Sequence, residues 1–314
     1  MVKYYISAGD GLREAEELCS DCWVSMTAPT EEEVRHVAQG LAIDADAIRS
    51  ALDTDERSRI ETDDDYMMVL VNIPSLEEQD EMELYTTIPL SVITTKNAIV
   101  TVCLEDTPAL RPFSSGRQKE FRSGMKSRFI LQILYQVAAL YLQYLHTIDK
   151  KTELVENKLH KSTQNSELIE LLRLEKSLVY FTTALRSNEA VLEKLLRTGT
   201  MKRYPEDAEL LEDVIVENKQ AIEMANIYSG ILSGMMDAFA SVISNNLNIV
   251  MKVLAVVTIV MSIPTMIFSA YGMNVALTGM PLSGSPYGFI AIVGISLLIS
   301  LIATMVFVKL KMFK

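Results

Sequence analysis

Four hydroxyl side chains recur at a regular spacing near the C-terminal end of the chain. They are Thr258, Ser262, Thr265 and Ser269. Steps of four, three and four residues place them on one face of an α-helix, and this face extends back to Met251 and Asn248 and forward to Gly272. An isolated hydroxyl usually bonds to the carbonyl one turn earlier, whereas a continuous polar stripe indicates contact with water or tight helix packing. The spacing favours a water-lined path and leaves packing as the alternative.

The tetrapeptide Tyr271-Gly272-Met273-Asn274 closes the segment that carries these hydroxyls. By composition, a chosen tetrapeptide of this rarity occurs in a chain of this length with a probability on the order of one in a thousand. Its position at the end of an apolar segment makes it more specific than its composition alone.

Two cysteines, Cys19 and Cys22, form a lone CxxC motif that could be half of a zinc site or a redox pair. No second CxxC motif or spaced histidine pair completes a zinc site, because His36, His146 and His160 are scattered. We therefore interpret the two residues as incidental thiols beside a strand, in a reducing compartment.

Two charge-free segments, 253–273 and 289–308, are each close to the roughly 20 residues needed to cross a bilayer. Lys252 precedes the first, and Lys309, Lys311 and Lys314 follow the second, while the loop 274–288 has no Lys or Arg. The positive-inside rule predicts an outer loop and cytoplasmic termini. The first residues contain no apolar signal-peptide core, so we expect no cleaved leader and a location in the cell (inner) membrane.

The polar part of the chain is acidic. The 314 residues carry a formal net charge of −12, although no Asp or Glu occurs from Ala238 onward. An acidic cytoplasmic part argues against nucleic acid as a partner, because a phosphate backbone requires a basic surface. It is compatible with divalent cations and, at the spans, with membrane lipid.

Residues 1–125 are predicted to form a cytoplasmic α/β domain. Apolar segments predict strands at 3–7, 22–27, 66–73, 84–95 and 98–104. Thr30 and Glu33 form a capping box that opens a helix ending near Gly40, and a second short helix is expected over 44–52. The acidic run 61–65 is interpreted as a solvated turn.

Residues 126–250 are predicted to form a domain of long helices, followed by a transmembrane domain at 251–314. Apolar residues at helical spacing predict helices over 127–161 and from Asn165 or Ser166 to Thr198. A third helix starts near Pro205 and continues into the first span, a length of about 100 Å at 1.5 Å per residue. This helix could link the cytosolic and membrane parts mechanically or serve as a coiled-coil stalk.

These features together resemble the CorA family of magnesium transporters over essentially the whole chain. The resemblance is carried by Tyr271–Asn274, by the segment Asn248–Leu254 and by Pro264 within the first span. It implies an α+β cytoplasmic domain, long helices and a two-helix transmembrane domain, assembled as a funnel-shaped homopentamer whose first spans line a central pore.

The resemblance also implies roles for individual residues. The implied selectivity filter is Asn274, Gly272, Met273 and Tyr271. A polar ring is implied at Asn248, a hydrophobic constriction at Met251 and Leu254, and a pore hydroxyl at Thr265. These positions lie on or beside the stripe, so Thr258, Ser262 and Ser269 complete the predicted pore lining. A ring of neutral carboxamides offers oxygens to the waters of hydrated Mg²⁺, an ion that dehydrates reluctantly.

A regulatory Mg²⁺ site is implied in the cytoplasmic part. The resemblance places one carboxylate at Asp213 and aligns its partner position with Ser50, so Asp53 or Asp55 is a candidate substitute. The sequence also departs from many family members at Val275 after the signature and in the loop Met280–Ser283, which lacks an acidic residue.

The expected function is a divalent-cation channel that admits Mg²⁺, with Co²⁺ and Ni²⁺ as further candidates, and is gated by cytoplasmic Mg²⁺. A zinc transporter of the same superfamily and a non-conducting membrane-anchored coiled-coil sensor or scaffold are the alternatives. The sequence contains no nucleotide-binding loop, catalytic triad or metal-hydrolase motif, so we expect neither an enzyme nor an organic cofactor.

Overall fold

The computed structural model of the protein describes residues 1–8, 11–79, 82–116, 122–159, 165–199, 204–274, 280–282 and 285–310. The chain divides into two compact units, Met1–Gly234 and Met235–Lys314. Several residues named above lie outside the described residues. They are His160, Val275, Ser283, Lys311 and Lys314.

The first unit contains a sheet of seven strands. They are β1 (Val2–Ala8), β2 (Gly11–Ala15), β3 (Cys22–Thr27), β4 (Arg59–Thr62), β5 (Tyr66–Gln79), β6 (Met82–Thr95) and β7 (Ala98–Cys103). Their order across the sheet is β2-β1-β3-β7-β6-β5-β4. The pairing is antiparallel throughout except between β3 and β7, which run parallel.

The helices follow the predicted division into short and long elements. They are α1 (Glu31–Leu41), α2 (Ala45–Arg49), α3 (Arg111–Ser114), α4 (Lys126–Leu159), α5 (Asn165–Thr198), α6 (Pro205–Tyr271) and α7 (Gly288–Lys309). A short 3₁₀ turn, Ser50–Leu52, follows α2. The capping box of α1 is confirmed, because Thr30 Oγ1 accepts from the Glu33 N–H and the Glu33 carboxylate accepts from the Thr30 N–H.

The sequence missed two strands, β2 and β4. Both lie at the edges of the sheet, and each pairs with a single neighbour, β1 or β5. Charged residues such as Arg13, Glu14 and Glu61 occupy them, as is common for edge strands that must not pair with other chains. The interpretation of 61–65 as a turn is therefore wrong at its start, since β4 includes Glu61 and Thr62.

The sheet is buried on both faces, as β3 shows. Successive side chains of a strand point to opposite faces, and Cys22, Val24 and Met26 lie in one buried cluster with Val34 of α1 and Ile48 of α2. Helices α1 and α2 thus cover this face.

The opposite face of the sheet packs against α4. Trp23 is fully buried, and its ring lies 4.9 Å from the ring of Tyr5 and 5.2 Å from that of Phe129, measured between centroids. The indole N–H donates to the hydroxyl of Thr101 at 2.9 Å. Because a buried indole needs an acceptor, Thr101 explains how the ring can be completely enclosed.

Strands β5 and β6 each continue through a proline. The register pairs Asn72 with Pro89 and Pro74 with Thr87. In an antiparallel ladder every second opposed pair exchanges no hydrogen bonds, and the N–H and C=O of Asn72 bond to side chains instead. The missing N–H of each proline therefore faces away from the partner strand, where it interrupts no bond of this pair.

The side chain of Asn188 on α5 forms hydrogen bonds with both backbone polar groups of Asn72. Its Oδ1 accepts from the Asn72 N–H at 2.9 Å and from the Ser58 hydroxyl at 2.8 Å, and its Nδ2 donates to the Asn72 carbonyl at 2.7 Å. The hydroxyl of Tyr141 on α4 donates to the same carbonyl at 2.9 Å. Complete burial raises the pKa of Tyr141, so this hydroxyl remains a donor. Two long helices are thereby fixed to one point of the sheet.

Helix α6 runs from Pro205 to Tyr271, which confirms the predicted continuation of the third long helix into the first apolar segment. Gly199 ends the preceding helix with a φ of 64°, and proline suits the first turn of the next. Arg128 of α4 pairs with Glu206 and with the buried Asp207 at the start of α6.

We expect Asn188→Ala to lower the free energy of unfolding by about 1–3 kcal/mol, because the buried N–H of Asn72 would lose its acceptor. Chemical denaturation of the full-length protein in detergent, followed by the fluorescence of Trp23, the single tryptophan, measures this loss. Ser91→Ala is the matched control. The buried Ser91 hydroxyl has no hydrogen-bond partner among the described residues, so its removal leaves stability unchanged or raises it. Equal losses in the two variants would contradict the role of Asn188.

Candidate functional site

One side of α6 within the second unit is covered. Between Val253 and Tyr271, the fully or partly buried residues on this side are Val253, Val256, Val260, Ile263, Pro264, Ile267 and Tyr271. They share one side of a helix that turns about 100° per residue. Helix α7 is the other long helix described in this unit, and Phe268 and Tyr271 line a cavity together with Phe289 and Ile292 of α7. We therefore assign the covered side to contact with α7.

The hydroxyl stripe lies on the opposite side of α6. Thr258, Thr265 and Ser269 are exposed and Ser262 is half-buried. At about 100° per residue, the centre of the stripe is turned by about 170° from the centre of the covered side. Packing against α7 of the same chain therefore does not explain the stripe.

Three of the four hydroxyls donate to carbonyls of their own helix. Thr258 donates to the Leu254 carbonyl at 2.8 Å, and Thr265 donates to the Met261 carbonyl at 3.1 Å. Ser262 does the same toward Ile259 at 2.8 Å. A hydroxyl that donates its hydrogen still has lone pairs to accept with. The exposed side thus presents acceptors, which suit the O–H groups of water around a cation.

The signature lies where α6 ends. The Gly272 N–H donates to the Phe268 carbonyl at 2.9 Å and closes the last turn. The Tyr271 hydroxyl donates to the Pro281 carbonyl at 2.9 Å, which fixes the described part of the loop to the helix. Met273 and Asn274 are exposed beyond the last turn. The Asn274 carboxamide is therefore open to solvent in a single chain.

Among the residues that the structure describes, none requires glycine at position 272. An added Cβ would lie 3.4 Å from its closest neighbour, the Phe268 carbonyl oxygen, which is an ordinary contact. Its φ is also outside the left-handed region that favours glycine. The described contacts of one chain therefore leave this glycine unexplained.

The predicted constriction residues also lie on the uncovered side. Met251 and Leu254 are 57% and 58% exposed and have no side-chain oxygen or nitrogen. Asn248 is exposed at the edge of the stripe. The order along α6 is thus an amide, two apolar side chains, four hydroxyls and the signature.

The predicted regulatory acids lie in separate elements of the first unit. Asp213 is exposed on α6, whereas Asp53 and Asp55 are exposed in the turn before β4. The Asp53 carboxylate accepts from the Asp55 N–H at 3.1 Å. Ser50 is buried, and its hydroxyl donates to the Ala47 carbonyl at 2.9 Å, so this position offers no exposed ligand. The described part of the chain contains no group of three or more His, Cys, Asp or Glu placed to bind a metal ion.

The CxxC cysteines are free thiols. Cys22 is the first residue of β3 and is fully buried, while Cys19 is half-buried. Burial raises the pKa of Cys22, which keeps it protonated at neutral pH. This placement agrees with the interpretation of incidental thiols beside a strand.

The fold and the site together define a membrane protein with a sheet-and-helix domain and two apolar helices. One of these helices has a polar side that the described part of the chain leaves uncovered. The chain belongs to the family of CorA-like Mg²⁺ transporter proteins, whose family model matches residues 20–309. Membership of this family confirms the resemblance seen in the sequence.

Two similar proteins belong to the same class of transporter. The chain is 28% identical over 294 residues to the cobalt/magnesium transport protein CorA of Methanocaldococcus jannaschii, covering 91% of this chain and 89% of that protein. It is 22% identical to the cobalt/magnesium transport protein CorA of Thermotoga maritima, over 80% of this chain and 72% of that one.

A solved structure confirms the predicted fold class. The complete CorA magnesium transporter from M. jannaschii has a TM-score of 0.81 to this chain at 25% identity, covering 98% of this chain and 97% of that one. The agreement extends to the sheet domain, the long helices and the two apolar helices.

Gly288, which holds the described part of the loop close to α7, was not predicted from the sequence. A Cβ at this position would lie 2.3 Å from the Leu282 carbonyl oxygen, and Leu282 itself has a φ of 63°. Only a residue without a side chain permits this approach. The glycine just before the second apolar segment was the available signal.

We expect Gly288→Ala to destabilise the protein by about 1–3 kcal/mol, because either the loop or the first turn of α7 must move to make room. Thermal unfolding of the full-length protein in detergent measures the loss. The control is Gly294→Ala, since a Cβ there meets no atom within 4 Å and alanine favours a helix. A tolerated Gly288→Ala would show that the loop is not held in this arrangement.

Proposed function

We propose that copies of this chain assemble with the uncovered side of α6 facing a central pore, and that the pore conducts hydrated Mg²⁺ across the membrane. The observation that carries the proposal is the opposition of the hydroxyl stripe to the side of α6 that α7 covers. In a bilayer such a polar side is expected to face water or other protein rather than lipid.

Assembly follows from the number of helices. Two helices do not enclose a pore, so several chains must contribute their first spans. The family resemblance implies five, and a homopentamer embedded in membrane lipid is the assembly that we propose. Each protomer would then supply one carboxamide from Asn274 and one Gly272 to a ring at the mouth, where a side chain at position 272 would narrow the opening.

Magnesium is the proposed substrate because the named relatives are cobalt/magnesium transport proteins. Mg²⁺ releases its waters reluctantly, so a pathway lined by acceptors for those waters suits the ion. The hydroxyl oxygens and the Asn274 carboxamide are such acceptors. We include Co²⁺ and Ni²⁺ as further substrates. We also propose a narrow ring at Met251 and Leu254 that blocks ions when it loses water.

The direction of flux follows from orientation. With the basic ends of the spans in the cytoplasm of a cell whose inner membrane is negative inside, the membrane potential draws cations inward. It supplies about 4.6 kcal/mol per 100 mV for a doubly charged ion. The proposal therefore needs neither an enzymatic step nor an organic cofactor.

Regulation by cytoplasmic Mg²⁺ is proposed at the surfaces between protomers. Asp213, Asp53 and Asp55 are exposed and so are available to a neighbouring copy. An ion shared between subunits would screen the mutual repulsion of acidic domains and favour the closed arrangement at high internal Mg²⁺. Asp213 is on the same helix that carries the stripe, so its movement can be transmitted along α6.

Neither alternative is better supported. A likeness to the cytoplasmic domain of ZntB from Vibrio parahaemolyticus, with a TM-score of 0.60 at 12% identity over 77% of this chain and 98% of that domain, concerns the fold alone. A non-conducting scaffold would need no uncovered polar side on a membrane helix.

We expect Asn274→Ala to abolish Mg²⁺ uptake while the oligomer remains intact, because the ring at the mouth loses its carboxamide oxygens. Uptake into liposomes containing the purified protein, with the inside negative, measures this effect. Asn246→Ala is the control, since Asn246 is an exposed amide of α6 on the side away from the stripe, and it should transport like the parent. Normal uptake by Asn274→Ala would place the filter elsewhere, whereas a parent protein with no uptake would contradict conduction itself.

We expect Asp213→Ala to weaken the protection from proteolysis that Mg²⁺ gives to the first unit, and to shift closure to higher internal Mg²⁺. Limited proteolysis and flux measured over a range of Mg²⁺ concentrations report the two effects. Glu212→Ala removes the adjacent exposed carboxylate and should change neither. If the triple variant Asp213→Ala, Asp53→Ala, Asp55→Ala behaves like the parent, these acids are only solvated surface charge.

A further inference from the structure

Two hydroxyls of α7 are buried without a hydrogen-bond partner among the described residues. They belong to Ser296, which is fully buried, and to Ser300, one turn later. Thr304, a further turn along, behaves in the usual way and donates to the Ser300 carbonyl at 2.8 Å. Since buried polar groups are normally satisfied, each of the two serine hydroxyls is expected to have a partner.

The cavity where α6 and α7 meet indicates which residues of α6 lie beside these serines of α7. Phe268 and Ile292 line the same cavity, of about 400 Å³, at the junction of α6 and α7. Because α7 returns beside α6, one turn away from that junction leads from Phe268 to Pro264 and from Ile292 to Ser296. Pro264 is on the covered side of α6, and Ser296 is buried. By this count of turns we place the first serine level with the proline.

The proline leaves a carbonyl of α6 short of a donor. Pro264 has no N–H, so the carbonyl of Val260, one turn earlier, lacks the bond that an uninterrupted helix provides. The neighbouring carbonyls of Ile259 and Met261 each accept a hydroxyl of α6. Val260 is on the covered side and, by the same count of turns, lies level with Ser300.

We propose that each helix pair holds a water molecule between the hydroxyls of Ser296 and Ser300 and the carbonyl of Val260. The water accepts hydrogen bonds from the serines and donates one to the carbonyl, which gives it the two to four partners that buried waters have. Ordered water and serine side chains are among the groups that satisfy a carbonyl freed by proline within a membrane.

This water site connects α6 to α7 at the position where proline interrupts α6. A bridging water can keep its bonds through small changes of distance, so α6 can bend at Pro264 without leaving the Val260 carbonyl unsatisfied. The site is on the covered side, away from the hydroxyl stripe. The proposal therefore does not depend on whether the stripe conducts ions.

Solid-state NMR of the labelled full-length protein in lipid bilayers tests the site through magnetisation transfer from water protons. In the parent protein we expect transfer to the Ser296 side chain and to the Val260 carbonyl. In the variant Ser296→Ala, Ser300→Ala we expect transfer to residue 296 to be lost. Transfer to Thr258 and Thr265 of the stripe should be unchanged in both proteins, which separates this water from water in the pore.

Thr304→Ala is the matched control, because its hydroxyl already bonds to a carbonyl of α7 and is not part of the site. It should retain transfer to Ser296. Should the double variant not assemble, Ser300→Ala alone must weaken the transfer relative to Thr304→Ala. The proposal is overturned by the absence of transfer to Ser296 in the parent, or by its persistence at residue 296 in the double variant.

Discussion

A helix that crosses hydrocarbon must place its polar groups against protein, against water or onto its own carbonyls. In α6 this constraint is met on one side by α7, where residues such as Val256 are almost completely enclosed. The other side presents hydroxyl oxygens and, at its end, the exposed Asn274 carboxamide. Because α7 covers only the first side, we propose that further copies of the chain enclose the second side around a polar interior.

The first unit supplies a rigid frame for the start of the same helix. Asn188 and Tyr141 hold α5 and α4 to one residue of β5, and both side chains are enclosed by the core. Arg128 of α4 then pairs with Asp207 at the first turn of α6. Helix α6 has no break up to Tyr271, so its acidic N-terminal half and the stripe belong to one continuous helix. In the proposed function, this continuity would couple ion binding in the cytoplasm to conduction.

Much of this organisation was accessible from the sequence, because strong periodic patterns follow from burial. The apolar strands, the capping box at Thr30 and the uninterrupted helix after Pro205 were all predicted. The polar edge strands β2 and β4 were not, since their residues pair along one edge and bury little. The paired roles of Asn72 and Asn188 depend on a contact between residues far apart in the chain, which no local pattern reports.

The sequence predicted the spacing of the hydroxyl stripe along α6, but not which side of the helix α7 covers. Sequence alone could not decide between a water-lined stripe and packing, because both need small polar residues on one face. The structure separates the stripe from the side that α7 covers. The requirement at Gly288 arises from a backbone oxygen of Leu282, and the sequence does not show which backbone atoms will approach.

The accessibility of α6 around its circumference distinguishes a stripe that lines a pore from one that is packed against protein. Positions of the stripe and of the covered side are replaced one at a time by cysteine in the protein in lipid bilayers, and a membrane-impermeant thiol reagent is added from the loop side. If the stripe lines a pore, we expect rapid modification at positions 258, 262, 265 and 269, slowed by Mg²⁺, and little modification at 256, 260, 263 and 267. Modification that favours the second set, or that shows no preference around the helix, would contradict a pore lined by the stripe.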